Sequence, residues 1–173
     1  MTPDWLAKPP WLPVRAPRQS APPRRVDDYV ETCRQFDVTS TPRYQPRGKT
    51  TWCNVFVWDV TTALGCEIPH WYSVTTLRAT RPGQGSEMLA NDMVVWLRAE
   101  VDGWRKIQRA VALETAAKGE PTVVAWENYA GPGHVAMLLP GELIAQAGAA
   151  NLWLAPIKTG FGEGRSLEFF SHP

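Results

Sequence analysis

The order of hydrophobic patterns along the chain predicts an α+β domain, with helices packed on an antiparallel sheet. Two observations carry this. Apolar residues recur at helical spacing over 54–64, 86–100 and 104–118, and short β-rich runs follow at 121–127, 134–139, 143–147 and 166–170, separated by Gly, Pro and Asn turns. Helical segments followed by consecutive short strands form a meander, whereas a parallel sheet would need strands and helices in alternation. No internal repeat is visible.

The chain is 173 residues long, which fits one hydrophobic core. With 44% hydrophobic and 20% charged residues it has the composition of a soluble folded protein. Lys and Arg number 18 against 17 Asp and Glu, so the net charge is +1. That field is too weak to argue for a nucleic-acid partner or an anionic membrane. The expected protein therefore binds no nucleic acid, and a monomer is expected. Residues 1–25 hold seven prolines (Pro3, Pro9, Pro10, Pro13, Pro17, Pro22, Pro23), a density that opposes helix and central strand, so they read as an arm or linker ahead of a domain spanning 26–173. Trp5, Leu6, Trp11 and Leu12 give that arm apolar side chains with which to pack back onto the domain. Arg15, Arg18, Arg24, Arg25, Arg34, Arg43, Arg47 and Lys49 concentrate basic charge in the first fifty positions, the usual mark of a solvated segment. No uninterrupted apolar h-region opens the chain, and no window reaches the ~18 apolar residues of a membrane span. The expectation is synthesis in the cytoplasm without a Sec signal.

A short helix is expected over 27–35, then a turn-rich approach over 39–48. Segment 54–64 is the first strong element. Val55, Val57, Val60, Thr61 and Thr62 would suit a strand, but Asn54, Asp59 and Thr62 share a polar face and Gly65 is placed as a stop, which favours helix. Ser86 is positioned to cap the helix over 86–100, with Leu89, Met93, Trp96 and Leu97 on one stripe, and Gly119 ends the helix over 104–118. Asn91, Trp96 and Trp104 read as core.

Chemistry concentrates at one cysteine and one histidine. A thiol becomes a nucleophile as the thiolate, which a helix N-terminus and a neighbouring imidazolium both favour. Cys53 stands immediately before the 54–64 helix, where the amides of the first turn, that of Asn54 among them, favour charge on sulfur and can hold an oxyanion. His134 ends the turn Gly131-Pro132-Gly133 and opens an apolar strand, a rigid but reachable position for a base. Gln146 lies in the next β-run, within a hairpin's reach, with an amide oxygen able to accept from the imidazole. Three cysteines cannot all pair, and the ordinary fate of Cys33 and Cys66 is core or a mutual disulfide. Cys66-x3-His70 has a spacing that zinc uses, but no second ligand pair accompanies it, so no metal and no cofactor are expected.

Four strings in order, Thr51-Trp52-Cys53-Asn54-Val55-Phe56-Val57-Trp58-Asp59-Val60, Ile68-Pro69-His70-Trp71, Gly133-His134-Val135-Ala136 and Ala145-Gln146-Ala147-Gly148, resemble peptidoglycan-hydrolase domains of the NlpC/P60 and CHAP groups, including those of phage lysins. The resemblance covers about residues 36–172. It implies a papain-like cysteine peptidase fold, with Cys53 as nucleophile, His134 as base and Gln146 at a third position more often His, Asn or Glu. It also implies an upstream tyrosine near the oxyanion, for which Tyr44 stands closest, and a cleft lined by His70 and Trp71. The activity implied is cleavage of an amide in the peptide portion of the bacterial cell wall, by an endopeptidase or N-acetylmuramoyl-L-alanine amidase. A phage lysin and a secreted antibacterial effector both fit, acting on the wall in the periplasm or outside the cell.

Two other classes compete. A wall-binding module without turnover would use the tryptophans and the basic arm, and would have no reason to keep a reactive Cys53. A glycosidase would need two carboxylates about 5–9.5 Å apart; Glu67, Glu87, Asp92 and Glu127 are candidates, and no spacing favours any pair.

Overall fold

The fold is built around one buried helix. In the computed structural model, which describes residues 8, 9, 12, 14 and 22–173, helix α1 (Val26–Arg34) precedes helix α2 (Cys53–Ala63), and every residue of α2 except Thr62 is buried. The β-branched residues of α2 cost a few tenths of a kcal/mol each in helix propensity. Burying Val55, Phe56, Val57 and Val60 completely offers about 1.5–3 kcal/mol each, so packing decides the conformation. The chain leaves α2 at Gly65, with Gly65 N–H bonded to Thr62 O (3.1 Å) and Cys66 N–H to Thr61 O (3.0 Å), which satisfies the last carbonyls.

Beyond α2 come the short pair β1 (Trp71–Tyr72) and β2 (Ser86–Glu87), then α3 (Ala90–Arg98), β3 (Arg105–Ile107), α4 (Arg109–Lys118), β4 (Thr122–Trp126), β5 (His134–Leu139), β6 (Leu143–Gln146), β7 (Leu152–Pro156), α5 (Ile157–Phe161) and β8 (Glu168–Ser171). Six strands form one antiparallel sheet in the order β3-β8-β4-β5-β6-β7. Alternation sorts its side chains into two cores. Val123, Ala125, Val135, Met137 and Ala145 face the side of α2, while Val124, Ala136, Leu138 and Ile144 pack with Ala112 and Ala116 of α4 and Ile157 and Phe161 of α5. The expected α+β class with an antiparallel sheet is present.

Several expected boundaries move. Ser86 caps no helix: it lies in β2, and α3 begins at Ala90 with the Asp92 carboxylate accepting from Leu89 N–H at 2.9 Å. Segment 104–118 divides, because Trp104 is fully buried with its indole N–H on Cys66 O (3.1 Å) and 105–107 pair with β8 before α4 starts. Strand β7 and helix α5 were not anticipated. The polar residues of α2 do not form a solvated face, since Asn54 and Asp59 are buried and bonded. Cys33 and Cys66 are free buried thiols, not a disulfide.

Asp59 anchors the segment ahead of the domain. Its carboxylate accepts from Arg43 (2.6 Å) and from the Tyr44 hydroxyl (2.7 Å), and the side chains of Arg43 and Asp59 are fully buried. The remaining Arg43 donors reach the carbonyls of Lys8 (3.0 Å), Pro9 and Leu12 (2.9 Å), while Val14 sinks into the core. This part of the expected arm is therefore fastened to the domain; Trp5, Leu6 and Trp11 lie outside the described residues. Burial raises the Asp59 carboxyl to about 6 against the lowering by Arg43 and Tyr44, which leaves it ionised at neutral pH. Replacing Arg43 by Met strands a buried carboxylate. The expected loss is about 3–5 kcal/mol in urea-unfolding free energy, and a loss below about 1 kcal/mol would show that the pair does not hold the arm.

Candidate active site

The site forms where the N-terminus of α2 meets the start of β5. Cys53 is the first residue of α2 with its thiol buried, and His134, the first residue of β5, is the neighbour that acts most strongly on that thiol. His134 Nε2 meets Gln146 Oε1 at 2.7 Å, and the Gln146 amide nitrogen donates to Ala150 O at 3.1 Å. That second bond fixes which end of the amide faces the ring. Gln146 Oε1 only accepts, so Nε2 carries the hydrogen and Nδ1 is the nitrogen left for the thiol. The three residues picked from the sequence for this chemistry are thus brought together, with His134 between Cys53 and the Gln146 amide.

The electrostatics favour charge separation. Burial alone raises the Cys53 thiol. The hydrogen bond and charge of His134, with the N–H groups of Val135 and Asn54, outweigh burial and bring the thiol below its ordinary value. Burial likewise lowers His134, but the bond and charge of Cys53 and the Gln146 bond outweigh it and raise the imidazole. The two shifts have opposite sign and act together, each favouring a thiolate beside an imidazolium. Cys66, by contrast, is pushed by burial to about 12, and Cys33 higher still.

Glycines admit the neighbours that hold this line. A Cβ on Gly160 of α5 would stand 2.2 Å from Gln146 Oε1, so only glycine lets the helix pass behind the amide, and the next residue, Phe161, lays its ring 4.9 Å from that of His134. A Cβ on Gly133 would stand 2.1 Å from Asn91 Oδ1 and 2.7 Å from Trp126 O. Asn91, expected as core, instead binds the loop before His134: its amide donates to Asn128 O (3.1 Å) and Gly131 O (3.0 Å) and its oxygen accepts from Asn128 N–H (3.0 Å). Neither Asn91 nor Gly160 carried a local signal, because their partners lie 37 to 40 and 14 residues away in sequence.

An open cleft of about 470 Å³ leads to Cys53, lined by Lys49, Thr51, Asn54, Leu89, Asp92 and Pro132 among others. Asn54 is on the cleft wall, its side-chain amide donating to Met88 O at 3.0 Å. Three other expected cleft residues are not. Tyr44 is fully buried, with its hydroxyl committed to Asp59 and its ring edge on Phe56, so it is not presented to a substrate. His70 is buried between Trp58 (centroids 4.8 Å apart) and Trp71 (5.6 Å), 3.5 Å from the Asn54 amide, and burial then the charge of Arg43 lower it to about 4, leaving it neutral. Trp71 lines a separate groove with Trp58 and Glu67. Of the four carboxylates considered for sugar chemistry, only Asp92 lines the cleft, and it is engaged at the start of α3; Glu67 accepts from Trp58, Glu127 pairs with Arg98, and Glu87 lies 3.1 Å from His70. Among the described residues no three His, Cys, Asp or Glu side chains cluster as metal ligands.

A methyl at position 160 must displace the Gln146 side chain or α5. Gly160→Ala is expected to slow alkylation of Cys53 at neutral pH several-fold, at a stability cost of about 1–3 kcal/mol. An unchanged alkylation rate would show that Gln146 does not orient His134. Compared with known families and characterised proteins, the chain matches no family model and no curated protein.

Proposed function

We propose that the protein is a papain-like cysteine amidohydrolase that cuts an amide bond in the peptide portion of bacterial peptidoglycan. The observation that carries this reading is the Cys53–His134–Gln146 line at the end of an open cleft, with the thiol lowered and the imidazole raised. The choice of peptidoglycan comes from the resemblance of the four ordered strings to NlpC/P60 and CHAP domains. Among the described residues no helix is long and apolar enough to cross a membrane.

In the reaction the Cys53 thiolate attacks the amide carbon and the carbonyl electrons move to oxygen, where the amides opening α2 receive the charge. His134 gives its Nδ1 proton to the leaving nitrogen as the C–N bond breaks, which leaves a thioester on Cys53. Water then attacks the thioester carbon, His134 takes a proton from it, and the C–S bond breaks to release the acid and restore the pair. Gln146 keeps the ring in the tautomer that both steps need. The chemistry uses no metal or organic cofactor.

Cys53→Ala should keep the fold and reduce turnover by about 10⁴-fold or more. Mass spectrometry of peptidoglycan digested by wild type should show new peptide termini or free stem peptides that Cys53→Ala does not produce. Reducing sugar ends would replace this reading with a glycosidase, and no product at all would leave a wall-binding module. The kcat/KM profile should be bell-shaped. Its acid limb lies below the ordinary thiol value, where Cys53 loses its proton, and its alkaline limb lies above the ordinary imidazole value, where His134 loses its own. A profile rising only through the ordinary thiol range would contradict the pair.

A further inference from the structure

The string Ile68-Pro69-His70-Trp71 has no part in the thiol mechanism, yet the fold brings it to the residue that follows the nucleophile. The short β1–β2 ladder pairs Trp71 with Glu87, and Met88 N–H donates to His70 O at 2.7 Å, so His70, Glu87 and Met88 arrive together beside the start of α2. There the side-chain nitrogen of Asn54 lies 3.0 Å from Met88 O and 3.5 Å from His70 Nδ1, while Glu87 Oε1 stands 3.1 Å from His70 Nε2. A backbone carbonyl only accepts, which fixes the nitrogen end of the Asn54 amide toward Met88. His70 Nδ1 faces the same nitrogen and is therefore an acceptor, so the ring hydrogen sits on Nε2, toward the Glu87 carboxylate. Trp58, stacked at 4.8 Å, and Trp71, edge-on at 5.6 Å, hold the ring in this orientation.

A side-chain amide nitrogen has two hydrogens, and Met88 O and His70 Nδ1 take both. The Asn54 side chain therefore has nothing left to donate to an oxyanion. What it keeps is Oδ1, which no donor among the described residues takes and which is not shut away from solvent. Asn54 lines the cleft together with Cys53, so this oxygen is an acceptor within one residue of the attacking sulfur. Cys53 bonds to the acyl carbon, and the donor that comes nearest is the N–H of the residue supplying the acyl group. Resting on the hydrolase reading above, we infer that Asn54 is a specificity residue whose Oδ1 accepts the N–H of an acyl amino acid, and that His70 is the positioning residue that keeps it an acceptor. The bond cut then joins two amino acids of the peptide, because the acyl half of the muramoyl–alanine bond is a lactyl ether with no N–H at that place. A substrate without this N–H leaves Oδ1 desolvated and unpaired, which is how a polar site rejects it.

The test uses the full chain as wild type, Asn54→Ala, His70→Phe and His70→Gln. The substrate is a synthetic stem peptide whose scissile bond has been assigned by mass spectrometry, paired with the depsipeptide in which the N–H of the acyl residue is an ester oxygen. Wild type should favour the peptide by about tenfold or more in kcat/KM. Asn54→Ala keeps the backbone N–H at position 54, so the ratio should fall near one while Cys53 is alkylated at the wild-type rate. His70→Phe keeps a ring between the tryptophans but no acceptor, and should lower the ratio several-fold. His70→Gln, whose amide oxygen can replace Nδ1, should restore most of it. Cleavage of the muramoyl–alanine bond, a wild-type ratio near one, or an Asn54→Ala or His70→Phe ratio equal to that of wild type would each overturn the inference while leaving a hydrolase. The wild-type ratio decides on its own should a variant fail to fold. Absence of products from wild type would overturn the hydrolase reading, and this inference with it.

Discussion

Everything at the site depends on where helix α2 begins. Its first residue must reach the first residue of β5, and nearly complete burial of the helix between the sheet and the preceding segment is what sets that position. A buried helix cannot slide without opening voids along its whole length, so the Cys53–His134 distance is held by packing remote from either residue. The thiol then gains what only this junction supplies: the amides at the start of a helix, the N–H of Val135 and an imidazole in the right tautomer. Turning His134 by the loss of Gln146 or crowding it through Gly160 acts on the same contact from the other side.

Burial has opposite consequences at the three thiols. Cys33 and Cys66 lie among apolar groups, and desolvation leaves them protonated and inert. Cys53 is as deeply buried, yet partners reverse the sign. The buried Arg43–Asp59 pair shows the same logic in a structural setting, since each charge is tolerated because the other, Tyr44 and the carbonyls of Lys8, Pro9 and Leu12 meet its hydrogen-bonding needs.

Much of this was legible in the sequence, and the parts that were not have a common physical cause. Periodicity found the strands β4, β5, β6 and β8, and the turn before His134 located the start of β5, because these signals are local; the expected meander holds only for β4, β5 and β6, since β8 crosses back to pair between β3 and β4. Helix α2 was found through its Gly65 stop in spite of five β-branched residues. The helix expected from Ser86 failed because Asp92, not Ser86, supplies the capping oxygen, and Trp104 misled because its burial comes from Cys66 and the β3 neighbourhood and not from a helical stripe. Strand β7 was hidden because its run from Leu152 to Pro156 is apolar throughout, with no polar alternation, although it is half-buried or exposed at the sheet edge. At the site, Cys53, His134 and Gln146 sit at the ends or within elements that the pattern defines. Asn91, Gly160 and Trp126 act through contacts across the fold, which a single sequence does not record, and Tyr44 was misplaced because nearness to Cys53 in sequence says nothing about which way its ring points.

The central claim is that Cys53 is held as a thiolate by His134. The pH dependence of Cys53 alkylation by iodoacetamide, in wild type and in His134→Ala, tests it most directly. The account predicts an inflection below the ordinary thiol value of about 8.5 in wild type and a rise to that value or beyond once the imidazole is removed. A wild-type inflection at or above the ordinary value, unmoved by His134→Ala, would contradict it.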